Sequence, residues 1–168
     1  MKSEKKYTLY AIEAHLGEEK TCSPRQDYHS FLGLVDVTNT QAPKIVDEIH
    51  FTSAGKKIQF FNTILLGNPS SGDDPFKDCV LSGIVSGNAA DISQVWDKAK
   101  QISAKLTELN IDFSRANTPE AVNCRAGVKA VIEALGFEYN PVLEHVAREG
   151  TSSNLSSLIE HNHHNLVP

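Results

Sequence analysis

Long apolar runs are missing from this sequence: no uninterrupted stretch approaches the roughly 18 residues from which a membrane-spanning helix is built. The N-terminal "MKSEKKYTLYAIEAHLG" carries basic residues without the apolar segment of a secretory leader. These absences predict a protein that is neither Sec-exported nor membrane-spanning, acting in the cytoplasm or secreted without a Sec signal peptide. Basic clusters are equally scarce, "SEKK" and "GKK" being the longest, and the formal charge is −5. A chain of that charge lacks the electrostatic footprint of a nucleic-acid binder. No Gly-rich phosphate loop, dinucleotide fingerprint or Gly-x-Ser-x-Gly elbow occurs, which argues against the common nucleotide-binding and serine-hydrolase classes and implies no cofactor. Cysteine is sparse as well. The three residues Cys22, Cys79 and Cys124 cannot all pair and match no zinc-ligand spacing, so reduced thiols in a cytosol-like compartment are expected.

What remains is an ordinary globular composition. Hydrophobic residues make up 40% and charged residues 22% of the 168 positions, which suits one domain spanning 1–168. Residues 7–16, 30–37, 44–52 and 57–66 are rich in β-branched and aromatic types and read as strands. The connections "TNTQAP" and "SAGK" are short enough for hairpins, so an antiparallel meander is expected over a sheet-rich half, 7–66. "CVLSGIVSG" is apolar but holds two glycines, which leaves strand and helix equally open. From Asp91, a good N-cap, Ile92, Val95, Trp96, Ala99, Ile102, Leu106 and Leu109 recur every three or four positions, the helical period. A second helix follows in "EAVNCRAGVKAVIEALGF", where Val128, Val131, Ile132 and Leu135 mark one face and Gly136 closes the C-terminus. "NPVLEHVAREG" and "TSSNLSSLIEH" add short helical segments, extending the helical half over 91–159. Strands first and helices after predict an α+β domain in which helices cover one face of an antiparallel sheet.

Cys124 stands where a polar loop becomes an amphipathic helix. A helix N-terminus favours thiolate through its dipole and unpaired N–H groups, so this position suits a nucleophile. "TPEAVNCRAG" also offers Thr118 as N-cap and Pro119 at the first helical position, and a helix beginning there would hold Cys124 in its second turn as a packing residue. Asn123 either caps the helix or donates to an oxyanion. Cys79 is a rival nucleophile, because "DDPFKDC" also leads from a loop into an apolar segment, whereas Cys22 lies in a loop without apolar support. A nucleophilic thiol needs a base. His29 suits that role, since it follows the polar "SPRQDY" and leads into the buried strand "SFLGLVDV" at the sheet's open edge. His15 ends the first strand, and His145, His161, His163 and His164 fall in the polar tail. "HNHH" at 161–164 is a poor structural metal site with Glu160 as its one nearby carboxylate, and "DD" at 73–74 reads as a turn, so no metal is expected.

The segments "YHSFLGLVDV" and "VNCRAGVKAVIEALG" together resemble the circularly permuted branch of the papain-like cysteine hydrolase fold, in which the strand histidine precedes the cysteine helix. That branch includes desumoylating isopeptidases, lecithin:retinol acyltransferase-like enzymes, and bacterial cell-wall amidases and effector toxins. The likeness runs from Tyr7 to Gly136. It implies Cys124 as nucleophile with its own N–H in the oxyanion hole, and His29 as general base. A third polar residue on the neighbouring strand is implied too. If 30–37 and 44–52 form a hairpin, His50 or Thr52 comes beside His29 and Glu48 lies one strand repeat further away; His50 matches the acyltransferase-like variant. The function expected is a thiol-dependent hydrolase or acyl-transfer enzyme that cleaves an amide, isopeptide or ester bond in a protein or peptide substrate through a Cys-His dyad or triad. The alternative is a noncatalytic binding or adaptor domain that engages a partner along an exposed sheet edge.

Overall fold

The computed structural model describes residues 4–15, 28–65, 76, 79–114, 120–140 and 155. Strands β1 (Lys6–His15), β2 (Tyr28–Asp36), β3 (Lys44–Ala54) and β4 (Lys57–Phe61) follow one another as antiparallel neighbours, the expected meander. Gly55 and Lys56, both at positive φ, close the β3–β4 hairpin in two residues, the turn that matches strand twist. The chain then returns as β5 (Cys79–Asn88), which pairs antiparallel with β1, so the sheet order is β4-β3-β2-β1-β5. "CVLSGIVSG" is thus a strand: pairing with β1 decides what its local propensity left open. β4 stops at Phe61 instead of continuing to residue 66. Asn62 leaves the ladder because its side-chain amide donates back to Asp47 Oδ2 at 2.7 Å and to the Glu48 carbonyl at 3.1 Å.

Helix α1 (Ala89–Glu108) starts directly after β5. Its N-cap is Asn88 and not the expected Asp91: the Asn88 side chain accepts the Asp91 N–H at 2.8 Å, which leaves Asp91 in the first turn where its charge suits the dipole. Helix α2 (Cys124–Ala134) starts at Cys124, since residues 120–123 are not helical; Thr118 and Pro119 lie outside the described residues. It ends in a Schellman motif. Phe137 N–H donates to Ile132 O and Gly136 N–H to Glu133 O, a closure that needs the φ of +90° that Gly136 supplies.

Both helices pack on one face of the sheet, as expected of an α+β domain. Leu9, Leu32, Leu34, Ile49 and Phe51 meet Trp96, Ile102, Leu106 and Ile132 there in one buried cluster, joined by Leu155 from the tail. Side chains of that size contribute about 1.5–3 kcal/mol each when fully buried. Gly127 lets α2 approach closely: a Cβ there would fall 2.5 Å from the Phe51 ring. Apart from Leu155, which is helical, the expected tail helices lie outside the described residues. The opposite face, called distal below, carries a smaller cluster of Ile12, Ala14 and Phe31, flanked by Tyr10, Cys79 and Leu81. Among the described residues no helix is long and apolar enough to cross a membrane.

Candidate functional site

Period-two alternation along β2 sends Leu32 and Leu34 to the helix face and therefore His29 and Phe31 to the distal face. On β3 the same rule separates Ile49 and Phe51 from Glu48 and His50. Leu32 stands opposite Ile49, a register that sets Phe31 beside His50 and brings His29 within reach of it. The two imidazoles lie within 2° of parallel, with His29 Nε2 and His50 Nδ1 2.8 Å apart. Phe31 stacks on His50 with ring centroids 4.6 Å apart. His50 Nε2 in turn lies 2.5 Å from Glu48 Oε1, which also accepts the Leu65 N–H at 3.2 Å. Glu48 and His50 are both buried.

This chain of hydrogen bonds has a direction. An ionised carboxylate only accepts, so Glu48 takes the proton of His50 Nε2 and leaves His50 Nδ1 as a lone pair. That lone pair accepts from His29 Nε2–H, which fixes the tautomer of His29 and leaves its Nδ1 as a proton acceptor. The His29 Nδ1 makes no hydrogen bond among the described residues. Burial, then the neighbouring His50, then Arg125 push the His29 pKa down to about 3, so the ring stays neutral at physiological pH. Thr52 makes no hydrogen bond to His29 among the described residues; of the three residues considered as its partner, the structure joins His50 directly and Glu48 through it.

Cys124 is fully buried as the first residue of α2, a helix that packs on the other face of the sheet, and it is disulfide-bonded. The expectation of reduced thiols is therefore wrong for Cys124, because pairing depends on proximity in the fold, which cysteine count and spacing do not reveal. Cys22, the remaining partner candidate in the sequence, lies outside the described residues. Asn123 acts as the helix cap, its side-chain oxygen accepting the Ala126 N–H at 3.1 Å. Around the helix start sits a buried polar cluster that sequence reading missed. Ser30 Oγ donates to Glu13 Oε2 at 2.5 Å, and Arg125 Nη2 approaches the same oxygen at 3.4 Å. Nearby, burial and then the Glu13 charge raise the Tyr139 pKa well above its usual value. Charged residues inside "AIEAH" and "NCRAG" were the available signal, since a carboxylate and a guanidinium in apolar segments are rarely buried unless paired.

Cys79 remains a thiol, half-buried as the first residue of β5. Its register partner on β1 is Ala14, and the partner of Ala14 on β2 is His29. Directly paired residues share a face, so Cys79, Ala14 and His29 form one row across the distal side, with Cys79 packed on the cluster that contains Ala14 and Phe31. Two strand spacings of about 4.8 Å separate the thiol's strand from that of the imidazole, and Ala14 contributes only a methyl between them. His15 ends β1, while His145, "HNHH" and the "DD" pair lie outside the described residues. Among the described residues no group of three His, Cys, Asp or Glu side chains is arranged to hold a metal ion. No protein-family model, curated protein or solved structure matches the chain.

Proposed function

We propose that this chain is a thiol-dependent hydrolase or acyl-transfer enzyme in which Glu48, His50 and His29 form a proton relay and Cys79 is the nucleophile. The observation that carries the proposal is the hydrogen-bonded chain Glu48–His50–His29, which ends in an imidazole nitrogen with a lone pair on the face that Cys79 shares. Two strand spacings lie between β5 and β2, so the Cys79 S–H proton passes to His29 Nδ1 through bridging water, and the sulfur attacks an amide or ester carbonyl to form the C–S bond of a tetrahedral intermediate. Positive charge on His29 is stabilised by its Nε2–H hydrogen bond to His50, whose Nε2–H is in turn held by the Glu48 carboxylate. This relay offsets the cost of protonating a ring whose own pKa is near 3. The leaving amine or alcohol takes the proton from His29 Nδ1, and water or an amine then resolves the thioester by the same route in reverse.

The papain-like arrangement that the sequence resembles would use Cys124. A disulfide sulfur is no nucleophile for acyl transfer, and α2 lies on the helix face whereas His29 points to the distal face, so Cys79 is the better supported thiol. A second reading rests on β5, an edge strand of ten residues without a single charge, which suits strand addition by a noncatalytic partner. Iodoacetamide labelling resolved by cysteine separates these readings. The catalytic reading expects Cys79 to alkylate at neutral pH at a rate that falls when His29 is replaced by Gln, and expects Cys79→Ala to abolish ester cleavage. Labelling of Cys79 that ignores His29 would overturn it. His29-dependent labelling of Cys124 after reduction would instead restore Cys124 as nucleophile.

A further inference from the structure

Glu48 ends the hydrogen-bonded chain through one oxygen that has two donors. Its Oε1 accepts the His50 Nε2–H at 2.5 Å and the Leu65 N–H at 3.2 Å. Glu48 is fully buried whereas Leu65 is 59% exposed, so a surface segment reaches the carboxylate with its backbone. Asn62 fixes where that segment lies. Its side-chain amide donates to the Glu48 carbonyl at 3.1 Å and to Asp47 Oδ2 at 2.7 Å, and the same Asp47 oxygen accepts the Trp96 indole N–H of α1 at 2.9 Å. Trp96 belongs to the main core, so Asp47 is a fixed anchor on which the exposed Asn62 closes. With Asn62 pinned to β3, the N–H three residues later meets Glu48.

We propose that Asn62 is a positioning residue that sets the direction of the Glu48–His50–His29 relay, by holding the Leu65 N–H on the Glu48 carboxylate. Its consequence for Cys79 rests on the catalytic reading above. A buried carboxylate stays ionised only while donors replace the water it has lost. With Glu48 ionised, each N–H of the relay points toward it and His29 Nδ1 is bare. If Glu48 held a proton, its O–H would donate to His50 Nε2 and His50 Nδ1–H would donate to His29 Nε2, leaving the remaining His29 proton on Nδ1. Both tautomers would reverse, and the thiol would lose its acceptor. One hydrogen bond to a charged group shifts such a balance by roughly ten- to a hundredfold. Among the described residues, the titratable groups near Glu48 on this face are His50 on its own strand, His29 on β2 and, across Gly33, Tyr10 on β1, while Asp47 faces α1.

Nitrogen-15 NMR of the histidine rings, which separates protonated from bare ring nitrogens, tests this as a function of pH. In the wild type at neutral pH His29 carries its proton on Nε2. The pH at which Nδ1 becomes protonated rises by about one to two units in Asn62→Ala, and likewise in Leu65→Pro, which lacks the N–H. Leu65→Ala keeps the N–H and leaves that pH unchanged. A merely structural role for Asn62 would lower stability without moving it. Iodoacetamide labelling of Cys79 in the same proteins loses its dependence on His29 at a correspondingly higher pH. If the tautomers shift as expected while Cys79 labelling ignores His29 throughout, the positioning role stands and the catalytic reading falls. If labelling depends on His29 and neither variant moves the tautomer midpoint, the catalytic reading stands and the positioning role is overturned. Movement in only one of the two variants likewise overturns the route from Asn62 through Leu65.

Discussion

Acid should weaken this fold through His29, by an amount that follows from its burial. The folded-state pKa is about 3 against an ordinary value of 6.5, so between these limits the unfolded chain binds a proton that the folded chain refuses. Stability then rises with pH: the contribution is complete above the unfolded value and is lost as pH falls from 6.5 toward 3. In that window the slope approaches about 1.4 kcal/mol per pH unit, and at pH 5 the loss is about 2 kcal/mol relative to neutrality. Urea unfolding at pH 7.5, 6 and 5 measures it, with His29→Gln as the reference. Gln does not titrate and keeps an N–H donor toward His50, so groups common to both proteins cancel in the difference. The wild type should lose about 2 kcal/mol more than the variant between pH 7.5 and 5. A difference that stays flat across this range would show that the ring protonates freely in the folded state, and the desolvated relay would be wrong.

Other perturbations probe the two faces separately. Gly127→Ala improves helix propensity by about 1 kcal/mol, but its Cβ would fall 2.5 Å from Phe51, and overpacking of that kind costs about 1–3 kcal/mol; a net loss in denaturant midpoint is expected, relieved by Phe51→Leu. Arg125→Met leaves the buried Glu13 carboxylate without its counter-charge, which should cost about 3–5 kcal/mol, and adding Glu13→Gln should recover much of it in a double-mutant cycle. Reducing agent should lower the thermal midpoint by breaking the Cys124 disulfide, a loss of roughly 2–5 kcal/mol, and Cys124→Ser should remove the sensitivity to reductant.

Much of the fold was legible because its signals are periodic. The meander followed from β-rich runs with hairpin-length connections, and α1 from apolar residues spaced every three or four positions. β5 was not legible, since its only determinant is pairing with β1, a partner some seventy residues away in the chain. The meeting of His29 with His50 was readable as one of two registers, and Glu48 as a partner of His50 follows from the strand period. The disulfide at Cys124 and the row that sets Cys79 and His29 on either side of Ala14 had no local signature, and the Glu13–Ser30–Arg125 cluster showed only as charges inside apolar segments, with nothing to say that they meet. Each depends on strands or helices far apart in sequence.

Core packing also decides which thiol His29 can serve. Bringing His29 to the helix face, where α2 packs, needs a one-residue slip of β2 against its neighbours, which inverts every side chain of the strand. Leu32 and Leu34 would then leave the main core and Phe31 and Val35 would enter it, although the close approach of α2 over Phe51 leaves no room for a phenyl ring at that level. Moving two buried leucines into the smaller distal cluster or into solvent costs about 1.5–3 kcal/mol apiece, a large share of the 5–15 kcal/mol by which an ordinary domain is stable. The hydrophobic alternation of "HSFLGLV" therefore holds the imidazole on the distal side as firmly as it holds the leucines on the other. Under the proposed mechanism, the nucleophile served by His29 therefore comes from that side, where β5 carries Cys79.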